Sequence, residues 1–264
     1  MLRAIGIILG LVSIIACSLL FRHFQRRQAH PKLRLLCLIA IICSALSVGY
    51  SAYSLAPTAP DYNLRALALE QQGDLVGALT AFDRAIKLDP HEYVLYFNRG
   101  LARFRKGDYD GAIADYTRTL ELDPKLAIVY LNRGAARAQK GDLDGAIADD
   151  SRAIQFNPAY AFAYGNRGEA KEKKGDNDGA LADYDHALQL NPQLTLTYSD
   201  RGRLKFQKGD WDGAIADYSH AIALEPQYAF AYASRSLAKA KKGDQAGAAA
   251  DLATARQLDP KIGK

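Results

Sequence analysis

The side chains that could carry chemistry recur at a fixed interval along this chain and do not gather into a cluster. His186 and His220 lie 34 residues apart, and no other histidine or cysteine stands near them at the spacing of a metal site. The acidic residues are spread just as evenly, so no pair of carboxylates stands out for general acid–base catalysis. The recurring Asp-Gly-Ala lacks the Gly-Lys-Ser/Thr ending of a phosphate-binding loop. The sequence therefore predicts a protein that is not an enzyme, with no catalytic residues, metal ion or cofactor, and with both histidines in solvent.

The positive charge is confined to the beginning of the chain. The 264 residues include 34 Lys and Arg and 29 Asp and Glu. Six of the basic residues and none of the acidic ones lie in residues 1–58, which leaves 28 basic against 29 acidic residues in the remainder. A region this close to neutral has no basic face for nucleic acid, so we expect no nucleic-acid partner. Cys17, Cys37 and Cys43 also lie in residues 1–58, so the remainder has no thiol for a disulfide or a nucleophile.

The remainder consists of six copies of one 34-residue repeat. Proline recurs without insertion or deletion at Pro90, Pro124, Pro158, Pro192, Pro226 and Pro260. A strict period of this length indicates stacked repeats that bury their apolar faces against one another. The expected repeats are 59–92, 93–126, 127–160, 161–194, 195–228 and 229–262. Within each, we expect a first helix over positions 2–14 and a second over positions 16–30, because glycine at position 15 ends the first and aspartate at position 16 caps the second.

Several positions of the repeat carry the same residue type in most copies. Position 4 is tyrosine in all six repeats, position 8 is glycine in four, and position 20 is alanine in all six, and we expect these residues to form the core. Small residues at positions 8 and 20 would let the two helices of a repeat approach closely. Position 7 is arginine throughout, and position 23 is aspartate from the second repeat onward. We therefore expect a ladder of Arg–Asp pairs between the helices.

The stretch from Tyr96 to Pro124 reads Y-x-N-R-G-x-A-x-x-x-x-G-D-x-D-G-A-I-A-D-Y-x-x-x-L-x-L-x-P and resembles the tetratricopeptide repeat (TPR). The resemblance extends over residues 59–262. It implies an all-α, right-handed superhelical TPR solenoid of helix–turn–helix repeats. It also implies that ligands bind in a concave groove lined by the first helix of each repeat, at positions 2, 5, 6, 9, 12 and 13.

These groove positions supply the candidate binding residues. Position 6 reads Asn98, Asn132, Asn166 and then Asp200, which resembles the asparagine ladder in the repeats of O-linked N-acetylglucosamine transferase. An amide donates and accepts hydrogen bonds, so it can hold a peptide main chain without reading side chains. The apolar candidates, expected to form pockets for an extended or helical segment, are Phe97, Leu101, Phe104, Leu131, Phe162, Leu196 and Phe206. Position 2 is apolar from the second repeat onward, which argues against the basic carboxylate clamp of the chaperone-binding members of the family.

Two apolar stretches precede the repeats. Residues 4–21 and 35–56 are each long enough to cross a hydrocarbon core of about 30 Å as a helix. The loop between them has five Lys or Arg in 13 residues, and such loops stay on the cytoplasmic side. We therefore expect residues 1–56 to be a two-helix anchor in membrane lipid, followed by a spacer at 57–60, with the TPR domain in the periplasm at a bacterial inner membrane. Cleavage with lipidation at Cys17, and an inverted orientation with cytosolic repeats, remain open alternatives.

The sequence thus predicts a membrane-anchored TPR adaptor that binds segments of partner proteins in its groove and scaffolds them at the membrane. The alternative is a structural membrane protein that self-associates, through its repeats or its membrane hairpin, into a homo-oligomer with an unused groove. Neither function requires a catalytic site.

Overall fold

The computed structural model describes residues 56–262, together with Ile39, Ile42 and Cys43. The apolar stretches 4–21 and 35–56, the basic loop between them and Cys17 lie outside the described residues apart from these few positions, so the membrane anchor stays a prediction. Within the part that is described, no helix combines the length and apolar character needed to cross a membrane. The chain divides into two compact units, Met1–Tyr62 and Asn63–Lys264, and the second contains nearly all of the repeat helices.

Residues 56–262 form twelve α-helices and no strand, which confirms the all-α prediction. In the second to sixth repeats the two helices of a repeat pack against each other, and each second helix also packs against the first helix of the next repeat. The helices are α1 (Ala59–Gln71), α2 (Leu75–Leu88), α3 (Tyr93–Lys106), α4 (Tyr109–Leu122), α5 (Ala127–Gln139), α6 (Leu143–Phe156), α7 (Ala161–Lys173), α8 (Asn177–Leu190), α9 (Thr195–Gln207), α10 (Trp211–Leu224), α11 (Ala229–Lys241) and α12 (Gln245–Leu258).

The turn inside each repeat follows from its Gly-Asp pair. Gly107 ends α3 with φ +83°, in the left-handed region that a residue without a side chain adopts freely. Asp108 then accepts a hydrogen bond from the Gly111 backbone N–H at 3.0 Å and caps α4. The same geometry recurs in all six repeats, so the predicted caps are confirmed. The helices begin and end within about one residue of the predicted positions, which is the usual uncertainty at a helix end.

Tyrosine at position 24 fills the space between the two helices of a repeat. Tyr116 is fully buried, and a Cβ added to Gly100 would lie 2.6 Å from its ring. Tyr184 approaches Gly168 in the same way, at 2.7 Å. The alanines at position 20 are buried as predicted, but the glycine at position 8 mainly makes room for this ring. The close approach of positions 8 and 20 therefore explains only part of the glycine pattern.

The tyrosines at position 4 are half-buried: Tyr130 packs against the hydrophobic core without being enclosed by it, so the prediction that these tyrosines form the core holds only in part. Each of them from the second repeat onward lies beneath an arginine of its own helix, with 5.5 Å between Arg133 Cζ and the centre of the Tyr130 ring. The Tyr130 hydroxyl donates to the Pro124 carbonyl at 3.3 Å. The ring thus has a cation on one face and a polar tip at the surface, an environment that suits tyrosine better than full burial.

The predicted Arg–Asp ladder is present from the second repeat to the sixth. Arg133 donates to both oxygens of Asp149, at 2.9 Å from Nε and 2.7 Å from Nη2, and Arg137 adds a third bond at 2.8 Å. The Nη1 of Arg133 also reaches Thr117 Oγ1 in the preceding repeat at 3.1 Å. The corresponding pairs are Arg99–Asp115, Arg167–Asp183, Arg201–Asp217 and Arg235–Asp251. In repeat three the charged side chains thus join both helices of the repeat to the repeat before it.

Candidate functional site

A pocket of about 370 Å³ lies between α7 and α9, the first helices of repeats four and five. Phe162 and Leu196, both at position 2, line it and are 55% and 66% exposed. Asn166 and Asp200, both at position 6, also line it. The other lining residues are Gly165, Glu169, Asn191, Gln193, Leu194, Thr195 and Thr197. Exposed apolar side chains beside a few polar groups are the usual composition of a binding pocket.

Packing between repeats four and five explains why the pocket opens at this place. Helix α8 packs less closely on α9 than the corresponding helices do at the other junctions of the described array. Gly165 at position 5 has no side chain, and a Cβ there would lie 3.4 Å from Thr197 Oγ1. Repeats two and three have Phe97 and Leu131 at the same position. The space that such a side chain would occupy therefore stays open in repeat four.

Charged side chains surround a second opening beside this pocket. It has a volume of about 300 Å³ and is lined by Glu169, Glu172, Lys173, Asn177, Arg203 and Gln207. Arg203 on α9 donates to Glu172 Oε2 on α7 at 3.0 Å and to Asp200 Oδ1 at 3.2 Å. Burial holds the pKa of the Asp200 carboxyl above its usual range, although the hydrogen bond from Arg203 opposes that shift. These charges are paired within the chain, so they leave little free charge for a ligand.

A third pocket, of about 180 Å³, lies between α5 and α7. Its lining residues are Ala135, Ala138, Gln139, Asp150, Asn166, Glu169, Ala170 and Lys173. Asp150 is 1% exposed, and its Oδ1 has no hydrogen-bond partner among the described residues. Burial raises the pKa of the Asp150 carboxyl to about 8, and the negative charge of Asp149 adds to this shift. We call the three pockets together the central groove, because Glu169 lines all of them.

Asp150 is not one of the groove positions predicted from the sequence, although the sequence contains a signal for it. Position 24 reads Phe82, Tyr116, Asp150, Tyr184, Tyr218 and Leu252 over the six repeats. One acid in a column of large apolar and aromatic residues marks a place where the repeat departs from its own packing rule. Aligning the six repeats position by position shows Asp150 as the exception at position 24.

The asparagines predicted to form a ladder lie in three different environments. The Asn98 amide donates to Asn63 Oδ1 of the preceding repeat at 3.1 Å, and the Asn132 amide donates to the Ile128 carbonyl of its own helix at 2.7 Å. Asn166 lines two pockets of the central groove and makes no side-chain hydrogen bond to another described residue. Its amide is thus fully available to a ligand, whereas those of Asn98 and Asn132 are partly used within the chain.

The predicted apolar groove residues also differ in accessibility. Phe162 and Leu196 are exposed and line the pocket between α7 and α9. Leu131 is half-buried, and the remaining four are half-buried and pack against the hydrophobic core: Phe97, Leu101, Phe104 and Phe206. The Phe97 ring centre lies 6.1 Å from that of Tyr116. These four side chains therefore present less apolar surface to a ligand than the sequence pattern suggested.

The two histidines are exposed on the second helices of repeats four and five. The ring of His186 packs on Tyr164 with 4.3 Å between centres, and His220 stacks on Tyr198 at 5.0 Å. Over the described part of the chain, no three His, Cys, Asp or Glu residues are placed to hold a metal ion. The histidines accordingly serve to cover position-4 tyrosines on the outside of the array.

The stacked helix pairs define an α-helical repeat protein. A family model described as TPR repeat matches residues 100–141 and 202–243, and one described as Tetratricopeptide repeat matches residues 59–92 and 161–194. The chain therefore carries tetratricopeptide repeats, a fold that typically acts as a non-catalytic scaffold for protein–protein interaction. A comparison with curated protein sequences gives no match.

Several solved structures share this fold. The crystal structure of MamA is 27% identical, with 64% of this chain and 92% of MamA covered and a TM-score of 0.57. YrrB, described as a TPR protein with an unusual peptide-binding site, is 22% identical, with 69% and 94% covered and a TM-score of 0.56. Pseudomonas aeruginosa pilF is 18% identical, with 77% and 92% covered and a TM-score of 0.68. The last two similarities show the fold alone.

Proposed function

We propose that the central groove binds an extended segment of a partner protein, and that the chain is an adaptor holding this partner at a bacterial inner membrane. The observation that carries the proposal is the pocket between α7 and α9, where Phe162 and Leu196 stay exposed beside Asn166. The fold is shared with YrrB, for which a peptide-binding site is described. A peptide is therefore the class of ligand proposed here, and the support for it in this chain is the pocket itself.

Each part of this surface has a role in holding a peptide. Phe162 and Leu196 can bury one apolar side chain of the partner, which contributes about 2 kcal/mol for a side chain of leucine size. The Asn166 amide can donate to a main-chain carbonyl and accept from a main-chain N–H. Binding then depends on one exposed apolar residue of the partner, and the amide fixes where the main chain lies.

Removing the two exposed apolar side chains is expected to weaken peptide binding at least tenfold. Peptides are selected from a random display library against the purified full chain, and their affinities are measured by isothermal titration calorimetry. The variant Phe162→Ala/Leu196→Ala loses about 2 kcal/mol or more of apolar burial in the complex, which corresponds to this change in Kd. Its melting temperature should stay close to that of the parent, because both side chains are exposed.

The matched control is Val76→Ala/Leu88→Ala, which removes two exposed apolar side chains from α2, outside the central groove. Its affinity for the selected peptides should equal that of the parent. The proposal is wrong if the groove variant binds as well as the parent, or if the library yields no binder. A molar mass that rises with concentration, without peptide binding, would instead favour the self-associating structural protein.

The proposed location places the repeats on the outer side of the inner membrane, on the strength of the basic residues between 22 and 34. With the three native cysteines replaced by serine, Gln227→Cys in the loop before α11 should react with an impermeant maleimide once the outer membrane is permeabilised. Gln28→Cys, between the two apolar stretches, should react only after the inner membrane is broken. The reverse pattern would put the repeats in the cytosol and overturn this part of the proposal.

A further inference from the structure

One repeat lacks the large side chain that fills the space beside the groove in its neighbours. At position 24, Tyr116 and Tyr184 are buried against the glycines of their own repeats, and Tyr218 has the same place in repeat five. Repeat three has Asp150 at this position, next to Gly134: a Cβ on Gly134 would lie 3.1 Å from Asp150 Oδ1. The aspartate side chain is shorter than that of tyrosine. It lines the pocket of about 180 Å³ between α5 and α7, which is part of the central groove.

The carboxyl lies at the base of this pocket, which we call the Asp150 pocket. Asp150 is almost completely buried, whereas Gln139, Glu169 and Lys173 are exposed and form the entrance. The walls between entrance and base include the methyl groups of three alanines, Ala135, Ala138 and Ala170. Apolar walls that lead to a buried carboxyl match a long side chain with an aliphatic stem and a cationic end.

Cations on α5 do not serve as the partner of Asp150. Arg133 and Arg137, the arginines of α5, both donate to Asp149, which precedes Asp150 on α6. The Asp149 charge therefore lies beside Asp150 with its own cations already bound.

Cations on α7 are also bound elsewhere. Arg167 donates Nε and Nη2 to Asp183 on α8 and Nη1 to Ser151. Lys173 pairs with Glu169 at the entrance, at 2.6 Å. Asp150 Oδ1 is thus an unpartnered acceptor in the described array, and a buried polar group without a partner destabilises the fold.

We propose that the Asp150 pocket receives a basic side chain, lysine or arginine, of the peptide bound in the central groove. The inference rests on the proposed function, and it specifies the chemistry of the partner. The aliphatic stem lies along the three alanines, and the ammonium or guanidinium group binds the Asp150 carboxylate. A metal ion is a poorer occupant because the described residues provide no group of three acidic or histidine ligands.

Two further features support a basic residue near an apolar one in the same peptide. The Asp150 pocket shares Asn166 and Glu169 with the pocket lined by Phe162 and Leu196, so one extended segment can reach both. A cation also supplies the charge that favours the ionised form of a carboxyl whose pKa is raised to about 8 in the empty pocket. Binding at neutral pH therefore releases the proton of Asp150 to solvent.

The test compares peptide selectivity in the parent full chain and in two variants. A positional-scanning library should give the parent a preference for Lys or Arg at one position and for an apolar residue nearby. Asp150→Asn removes the charge at nearly constant shape and should lower the affinity for the basic peptide at least tenfold. The same peptide with glutamine at the basic position should change less than twofold. Asp150→Tyr restores the ring of the neighbouring repeats, so it should keep the apolar preference and lose the basic one.

Glu121→Gln is the control for the loss of one carboxylate, because Glu121 on α4 is exposed, lies outside the central groove and has a pairing with Arg118 that is screened by salt. It should change the affinity for the basic peptide less than twofold. The inference is overturned if the basic preference survives in Asp150→Asn, or if Glu121→Gln loses it as well. Selected peptides without any basic preference would also overturn it while leaving the proposed function intact. Absence of any selected peptide would remove the proposed function itself. Thermal melting of both Asp150 variants, at or above the parent value, confirms that they fold.

Discussion

Asp149→Ala is expected to lower the free energy of unfolding by about 3 to 5 kcal/mol, seen as a lower melting temperature and a lower denaturant midpoint. Asp149 is 2% exposed and binds two arginines, Arg133 and Arg137. The substitution leaves both guanidinium groups partly buried without their acid. Because Arg133 also reaches Thr117 in the preceding repeat, the loss extends to the interface between repeats two and three. Interfaces between neighbours supply much of the stability of a repeat array.

A matched control distinguishes this network from the ion pairs on the surface. Asp110 pairs with Lys140 of the next repeat, but their side chains are 78% and 41% exposed. Asp110→Ala should therefore change the free energy of unfolding by less than about 1 kcal/mol. Equal small effects of the two substitutions would show that the Arg–Asp ladder does not stabilise the array.

The repeats could be predicted in detail because their determinants are local and recur. Gly107 and Asp108 specify the turn through backbone conformation and one hydrogen bond, without help from distant residues. The Arg–Asp ladder was also predictable, since two opposite charges that recur at fixed positions of a repeat are expected to meet. The half-buried position of Tyr130 was missed, because periodicity shows which side of a helix a residue is on and not how deep it lies.

The central groove was only partly predictable for a related reason. Phe97 and Phe162 both belong to predicted groove positions, yet Phe97 packs against the core and Phe162 is exposed. The difference follows the position in the repeat: the apolar residues at position 2 are exposed from repeat three to repeat six, whereas Phe97 at position 5 faces the core. The sequence pattern assigned both positions to the groove without showing which of them is buried. The Asp150 pocket could not be predicted from the sequence, because only the structure shows that this acid is buried and that its Oδ1 has no hydrogen-bond partner.

The second large effect is a change in how stability depends on pH when Asp150 is replaced by asparagine. The Asp150 carboxyl has a pKa of about 8 in the folded chain, against an ordinary value of 3.8. A pKa raised by folding means that the folded state takes up a proton between these two values. The proton bound by Asp150 therefore raises the free energy of unfolding. This contribution is fully present below about pH 4 and is lost progressively as the pH rises to about 8. Asp150→Asn lacks this loss, so its stability relative to the parent should grow by about 2 to 3 kcal/mol between pH 5 and pH 7.

The measurement is chemical denaturation of the parent and Asp150→Asn full chains at several pH values, since acids common to both cancel in the difference. Lys173→Gln is the control for an internal partner, because Lys173 lines the pocket but binds Glu169. The stability of Lys173→Gln should depend on pH in the same way as that of the parent. Parallel curves for the parent and Asp150→Asn would mean that Asp150 is ionised in the empty pocket and already has a cation. A saturating basic peptide should remove most of the difference, because the bound cation favours the ionised carboxylate that the empty pocket disfavours.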